Sequence, residues 1–130
     1  MKIIPLKSAA NAIGNAEDFK AGDVYGIAWK MATPMHPTAR KIDYMPDEEA
    51  KLLLESIKIR QNSNENTQIN KIPNGLFYLI SSYGVPIVWV TCDGTIFKTK
   101  LRHSDATSKH IEIAFNGSKL LSNKLSNNLL

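Results

Sequence analysis

Two glycine-containing turns, closely spaced within the most apolar part of the chain, constrain its fold more than any other feature. Tyr83-Gly84 separates the strand-like runs 76–82 and 86–92, and Asp93-Gly94 separates the second run from a third, 95–103. Strands joined by so few residues must run antiparallel, because parallel neighbours need a crossover of about a dozen residues or more. Asp-Gly is also a dipeptide favoured by type I′ hairpin turns, in which both central residues take positive φ. The expectation is a three-stranded antiparallel meander with 86–92 paired to 95–101.

The clearest helix spans 46–60. Pro46 suits a first helical position, Asp47, Glu48 and Glu49 sit where the helix dipole favours negative charge, and Lys58 and Arg60 sit where it favours positive charge. Ala50, Leu53, Leu54 and Ile57 recur at helical spacing, which predicts one buried stripe against the sheet. On that reading Leu54→Asp buries an unpaired charge and costs several kcal/mol.

A strand at 2–6 confined to an edge by Pro5, a short helix from Ser8 to Ile13 stopped by Gly14, and a strand at 23–31 weakened by Gly26 fill the first half. Pro34 and Pro37 make 33–38 a loop, and the polar run 61–71 reads as a flexible connection. After residue 103 a helix is expected to start among Ser104, Asp105 and Thr107 and to end at Asn116-Gly117, with Leu121, Leu125 and Leu129 marking a short helix in the tail. The fold class is α+β: a small antiparallel β-meander packed against one main α-helix plus short helices, in a single domain over 1–130.

At 43% hydrophobic and 22% charged residues the chain has an ordinary globular mixture, far from that of a disordered segment. Its longest apolar runs are too short to span a bilayer, and the start of the chain lacks the apolar length of a signal peptide, so no membrane association is expected. The single cysteine, Cys92, excludes an internal disulfide and fits a reducing, cytoplasmic setting. His36, His103, His110 and Cys92 lack the short spacing of a zinc site, and no phosphate-binding loop or nucleophile motif is present, so neither metal, cofactor nor catalysis is expected.

Charge is uneven. Residues 1–70 balance, whereas 71–130 hold Lys71, Lys98, Lys100, Arg102, Lys109, Lys119 and Lys124 against Asp93, Asp105 and Glu112. In the third strand a period of two puts Lys98, Lys100 and Arg102 on one face, about 6.5–7 Å apart, close to the phosphate spacing of an extended nucleic-acid strand. Ser104, Thr107, Ser108, Lys109 and His110 follow at a helix start, where free backbone N–H groups favour an anion. Two plainer readings cover the same residues: lysines that protect an edge strand, and hydroxyls that cap a helix. The functional expectation is that Lys98, Lys100, Arg102 and Lys109 form one exposed basic surface beside Thr107 and Ser108.

Ser82-Tyr83-Gly84-Val85-Pro86-Ile87-Val88, followed by a strand pair and then Ser104-Asp105-Ala106-Thr107-Ser108-Lys109-His110-Ile111, resembles a small domain found in phage, prophage, plasmid and archaeal mobile-element proteins. That domain has a pattern near SYGTPVA, a variable hairpin, then YSVTTSKHIN. The likeness covers about residues 76–116. Val85, His103 and Asp105-Ala106 depart from the pattern, while Ser82, Tyr83, Gly84, Pro86, Ser104, Thr107, Ser108, Lys109 and His110 agree with it in identity and order. The resemblance implies a hairpin-plus-helix module and an origin in a virus or mobile element, and it brings no reaction with it. Accessory proteins of such elements bind host machinery. The expected function is therefore non-catalytic binding of a host protein or protein–nucleic-acid complex in the host cytoplasm, with antagonism of an anti-phage defence system as its purpose. Direct nucleic-acid or nucleotide binding through the basic strand face and helix start is the alternative.

Overall fold

The computed structural model describes residues 1–29, 42–63, 66–101 and 104–129. Its centre is the antiparallel pair β4 (Leu76–Ser82) and β5 (Val85–Thr91). To one side β4 pairs with β3 (Val24–Ala28), which pairs in turn with β2 (Phe19–Ala21). β1 (Lys2–Ile3) lies parallel to β2, and β6 (Ile96–Lys98) lies antiparallel to β5. The expected three-stranded meander is thus half of a six-stranded sheet in simple chain order.

Helices cover both faces. On one, α1 (Ala9–Gly14) and α3 (Asp105–Ser126) close over Phe19, Val24, Tyr78, Ile80, Val88 and Val90. On the other, α2 (Asp47–Gln61) covers Ile27, Trp29, Leu76, Leu79 and Trp89. All seven residues of β4 are buried, because helices press on it from both sides. None of the described helices is long and apolar enough to cross a membrane.

Both turns close hairpins, but their chemistry is exchanged relative to expectation. Tyr83 (φ 53°) and Gly84 (φ 82°) both take positive φ, as a type I′ turn requires. At the second turn only Gly94 (φ 88°) does, and the Gly94 N–H donates to the Thr91 carbonyl. Cys92-Asp93-Gly94 is therefore a three-residue loop in which Gly94 supplies a bulge after an ordinary turn. Asp93 supports it by accepting from the Thr91 hydroxyl and the Thr95 N–H. Those bonds outweigh the effect of burial, which alone would raise the Asp93 pKa, and hold it below the usual carboxylate range.

α2 forms where expected, with Pro46 as its N-cap residue, but its buried stripe is rotated. Leu53 and Ser56 are buried, Ala50 and Ile57 are half-buried, and Leu54 is 51% exposed. The cost expected for Leu54→Asp is therefore corrected, since a half-exposed carboxylate keeps its water.

The larger correction is α3. It runs unbroken for 22 residues through Asn116-Gly117, making it longer than the 15-residue α2. Gly117 does not end the helix; it lets α1 approach. A Cβ there would lie 2.8 Å from the Ile13 Cβ and 2.9 Å from the Ala10 carbonyl oxygen. β2 had no counterpart in the sequence reading, and β1 is shorter than the 2–6 run because Leu6 already begins a 3-10 turn. The proline loop 33–38, with His36 in it, lies outside the described residues.

Leu53→Ala should cost about 2–5 kcal/mol in denaturant unfolding, the range for emptying a sealed core position, while Leu54→Asp should change stability by less than about 1 kcal/mol. Gly117→Ala should lower stability by about 1–3 kcal/mol although alanine is the better helix former, because backbone and Cβ atoms stand in its way. A Gly117→Ala variant at least as stable as the wild type would show that α1 and α3 are not packed this closely.

Candidate functional site

The first turn of α2 faces the end of β6 across a groove of 580 Å³. Its floor is Trp89 and Phe97, directly opposite each other on β5 and β6, with rings stacked 5.4 Å apart at 9°. Leu52 and Leu101 add apolar walls, and Asp47, Glu48 and Glu49 form one rim. The backbone fixes the groove, since the Lys100 N–H donates to Glu49 Oε2 at 3.0 Å and pins the chain leaving β6 to the head of α2.

Two buried polar atoms in this lining have no partner among the described residues: the indole Nε1 of Trp89 and the carboxylate Oε1 of Glu49. Trp89 is 1% exposed, so water does not reach its N–H. Buried indole N–H groups normally find an acceptor, and leaving a polar group unmet costs about 1–3 kcal/mol. Both atoms are sealed from solvent beneath the groove, and Trp29 Nε1, Arg60 Nε, Ser81 Oγ and Ser118 Oγ are likewise unpartnered elsewhere among the described residues, so it is the aromatic floor and the rim that a ligand would meet.

The expected basic surface is divided. Regular strand ends at Lys98, so the alternation of Lys98, Lys100 and Arg102 does not continue as a ladder. The Lys98 ammonium lies over the Phe115 ring of α3, 4.6 Å from its centroid, and Lys119 lies over the same ring at 4.9 Å. Lys100 is exposed near the α2 carboxylates, and Arg102 and His103 lie outside the described residues. Lys109 is exposed on α3 but precedes Phe115 by six residues, which rotates it about 120° away around the helix. Lys119, which the sequence reading did not place in the patch, takes the position beside Lys98 that Lys109 was expected to hold.

The helix start is occupied by its own cap. Ser104 Oγ accepts from the Thr107 N–H at 3.3 Å, and Thr107 is buried. Ser108 is exposed. His110 turns inward, 8% exposed, with Nδ1 2.7 Å from Ser82 Oγ and its ring tilted against Tyr83 at 5.8 Å. Two segments distant in the sequence, Ser82-Tyr83-Gly84 and Thr107 to His110, thus meet at one buried hydrogen bond. With the imidazole neutral, either the hydroxyl donates to a bare Nδ1 or an Nδ1–H donates to the hydroxyl. Burial favours that neutral form and lowers the His110 pKa, against a smaller opposing pull from Asp23. Ser82 is 2% exposed, so the pair is shut away from any substrate.

Cys92 lines a separate cleft of 740 Å³ between the ends of α2 and α3. Its Sγ accepts from Arg60 Nη1 at 3.1 Å, and burial pushes the thiol pKa up despite the lowering influence of Arg60. A thiol held protonated is a poor nucleophile. Among the described residues no three His, Cys, Asp or Glu side chains gather as metal ligands do.

The signals that could have found the groove were present but were assigned elsewhere. Asp47, Glu48 and Glu49 read as helix-dipole partners, and Phe97 read merely as the inward face of the lysine ladder. Comparison of the chain with protein-family models, curated proteins and solved structures finds no match.

An unfolded imidazole titrates near 6.5, whereas His110 in the fold titrates lower. Between the two values the unfolded chain holds more protons. Stability is therefore complete above about pH 6.5 and falls as the pH drops toward the folded value. Thermal melts from pH 8 to 5 should show that fall. His110→Asn, whose amide can meet Ser82 without titrating, should flatten it; an unchanged slope would place the effect on other groups.

Proposed function

We propose that the chain is a non-catalytic accessory protein that binds a host protein through the groove at the head of α2. One observation carries this reading: a groove with a stacked Trp89–Phe97 floor and an apolar wall at Leu52 opens beside the exposed carboxylates of Asp47 and Glu48. A docked polypeptide supplies an apolar side chain for the floor. Leu52 at the groove wall is an exposed apolar side chain of the kind that marks protein contacts. The likeness of residues 76–116 to the mobile-element domain supports a partner in the host cytoplasm, with a nucleic-acid-handling defence complex as the kind of target.

Direct nucleic-acid binding has one observation in its favour, the placement of Lys98 and Lys119 over Phe115 on the α3 face. It differs measurably from protein docking, since affinity for phosphates falls steeply with salt.

The test is capture of host components on the immobilised full chain, followed by titration of the purified partner. Leu52→Glu should weaken binding about tenfold or more, as loss of an anchor contact does, with little change in melting temperature because Leu52 is 45% exposed. Lys119→Glu should leave affinity for a protein partner unaltered. Equal binding by wild type and Leu52→Glu would overturn the groove assignment. Loss in Lys119→Glu, together with a steep salt dependence, would move the site to the α3 face.

A further inference from the structure

The edge of the sheet beside this groove is open, and its hydrogen-bonding pattern specifies what can fill it. Thr91 N–H donates to the Thr95 carbonyl and Thr99 N–H donates to the Ile87 carbonyl, so in β6 the odd-numbered residues turn their backbone groups toward β5. The N–H and C=O groups of Ile96 and Lys98 therefore point away from the sheet. β6 is the last strand, and among the described residues no backbone group pairs with them. The next outward N–H, that of Lys100, already donates to an outside partner, Glu49 Oε2.

Edge strands are commonly protected by a lysine lying across them. Here the Lys98 ammonium is folded back over Phe115 on the α3 side, which leaves the edge itself clear. On the α2 side the same edge borders the groove, where Trp89 and Phe97 form the floor and Asp47 and Glu48 stand exposed at the rim.

We infer that the partner contributes an extended segment that adds as a seventh strand to β6. The inference rests on the proposed docking role of the groove. Backbone bonds to Ile96 and Lys98 supply the pairing, and alternate side chains of the segment point into the groove. An apolar residue meets Leu52 and the Phe97–Trp89 stack. The residue two positions along, about 7 Å away, meets Asp47 and Glu48, so it is lysine or arginine. Lys98 and Lys100 also line the groove on its β6 side, so it is the α2 rim, with Asp47 and Glu48, that selects a basic side chain over an acidic one.

Arrayed eight-residue peptides probed with the full-length chain test this. Peptides with an apolar residue followed two positions later by Lys or Arg should bind, and the same peptides with Asp or Glu at that place should bind at least tenfold more weakly. Lys98→Pro removes an outward N–H and leaves the β5–β6 bonds intact, because those belong to residues of the other parity. It should lose binding at least tenfold, whereas Lys98→Ala should not. Should Lys98→Pro fail to fold, N-methylation of single backbone amides in the best peptide asks the same question from the other side, and the loss should recur at every second position. Wild-type affinity in a folded Lys98→Pro, or indifference to N-methylation, overturns strand addition; if Leu52→Glu still abolishes binding, docking in the groove stands without it. Binding that survives both Lys98→Pro and Leu52→Glu, or no peptide bound above background, overturns both readings.

Discussion

The pairing of β4 with β5 is buried on both faces, and every other contact in the molecule is arranged around that fact. A strand shielded on both sides needs apolar side chains on both faces, and Leu76 to Ile80 and Ile87 to Val90 supply them, with Ser81, Ser82 and Thr91 buried only at the strand ends. Strict alternation would send too few side chains toward α1 and α3. Two irregularities adjust the supply. Phe77 is the extra residue between the Leu76–Thr91 and Tyr78–Val90 pairs, and Ile87 is the extra residue between Ser81–Pro86 and Ile80–Val88. Phe77 and Tyr78, and likewise Ile87 and Val88, thereby join the same core, while Leu76, Leu79 and Trp89 remain for α2.

How much of this was legible depended on whether the cause was local. Turn residues and helix-dipole charges act within a few positions, and they placed both hairpins and α2 correctly. Gly117 shows the opposite case. Asn116-Gly117 has the local chemistry of a helix stop, and only the presence of Ile13 and Ala10 on the facing helix, a hundred residues earlier in the chain, turns it into a packing site. Leu54 failed for a related reason. Leu53 and Leu54 fit a helical stripe about equally well, and the direction from which the sheet approaches decides between them. β2 was missed because three residues carry too little pattern to announce a strand; it exists because Gly22-Asp23 folds it back on β3.

The same distinction explains the site residues. The agreement of Ser82-Tyr83-Gly84 and Thr107 to His110 with a family pattern marked positions that belong together, and the structure brings them together, but as a tie between α3 and the β4–β5 turn. Tyr83 takes positive φ, which is unfavourable for a bulky residue, and its ring rests on His110 while its N–H donates to the Asp23 carbonyl. A strained turn, a buried imidazole and a buried hydroxyl each carry a cost alone; in contact they satisfy one another. Such mutual satisfaction is a reason for a residue pattern to persist without any ligand.

The groove at the head of α2 has the opposite character. At Ser82 the tie closes on itself, whereas the groove over Trp89 and Phe97 lies beside an edge strand that is left open. A fold selected only for stability would close such a place with a longer β6 or a lysine across the edge. Instead β6 stops after three residues, Lys98 lies against α3, and Glu49 gives one oxygen to the chain leaving β6. An open sheet edge and an apolar groove that meet at one place are a reason to look for a function there. The acidic first turn of α2 then serves two ends at once: its charges stabilise the helix from its own N-terminus, and in the proposed docking they face outward over the groove to meet a basic side chain of the partner segment.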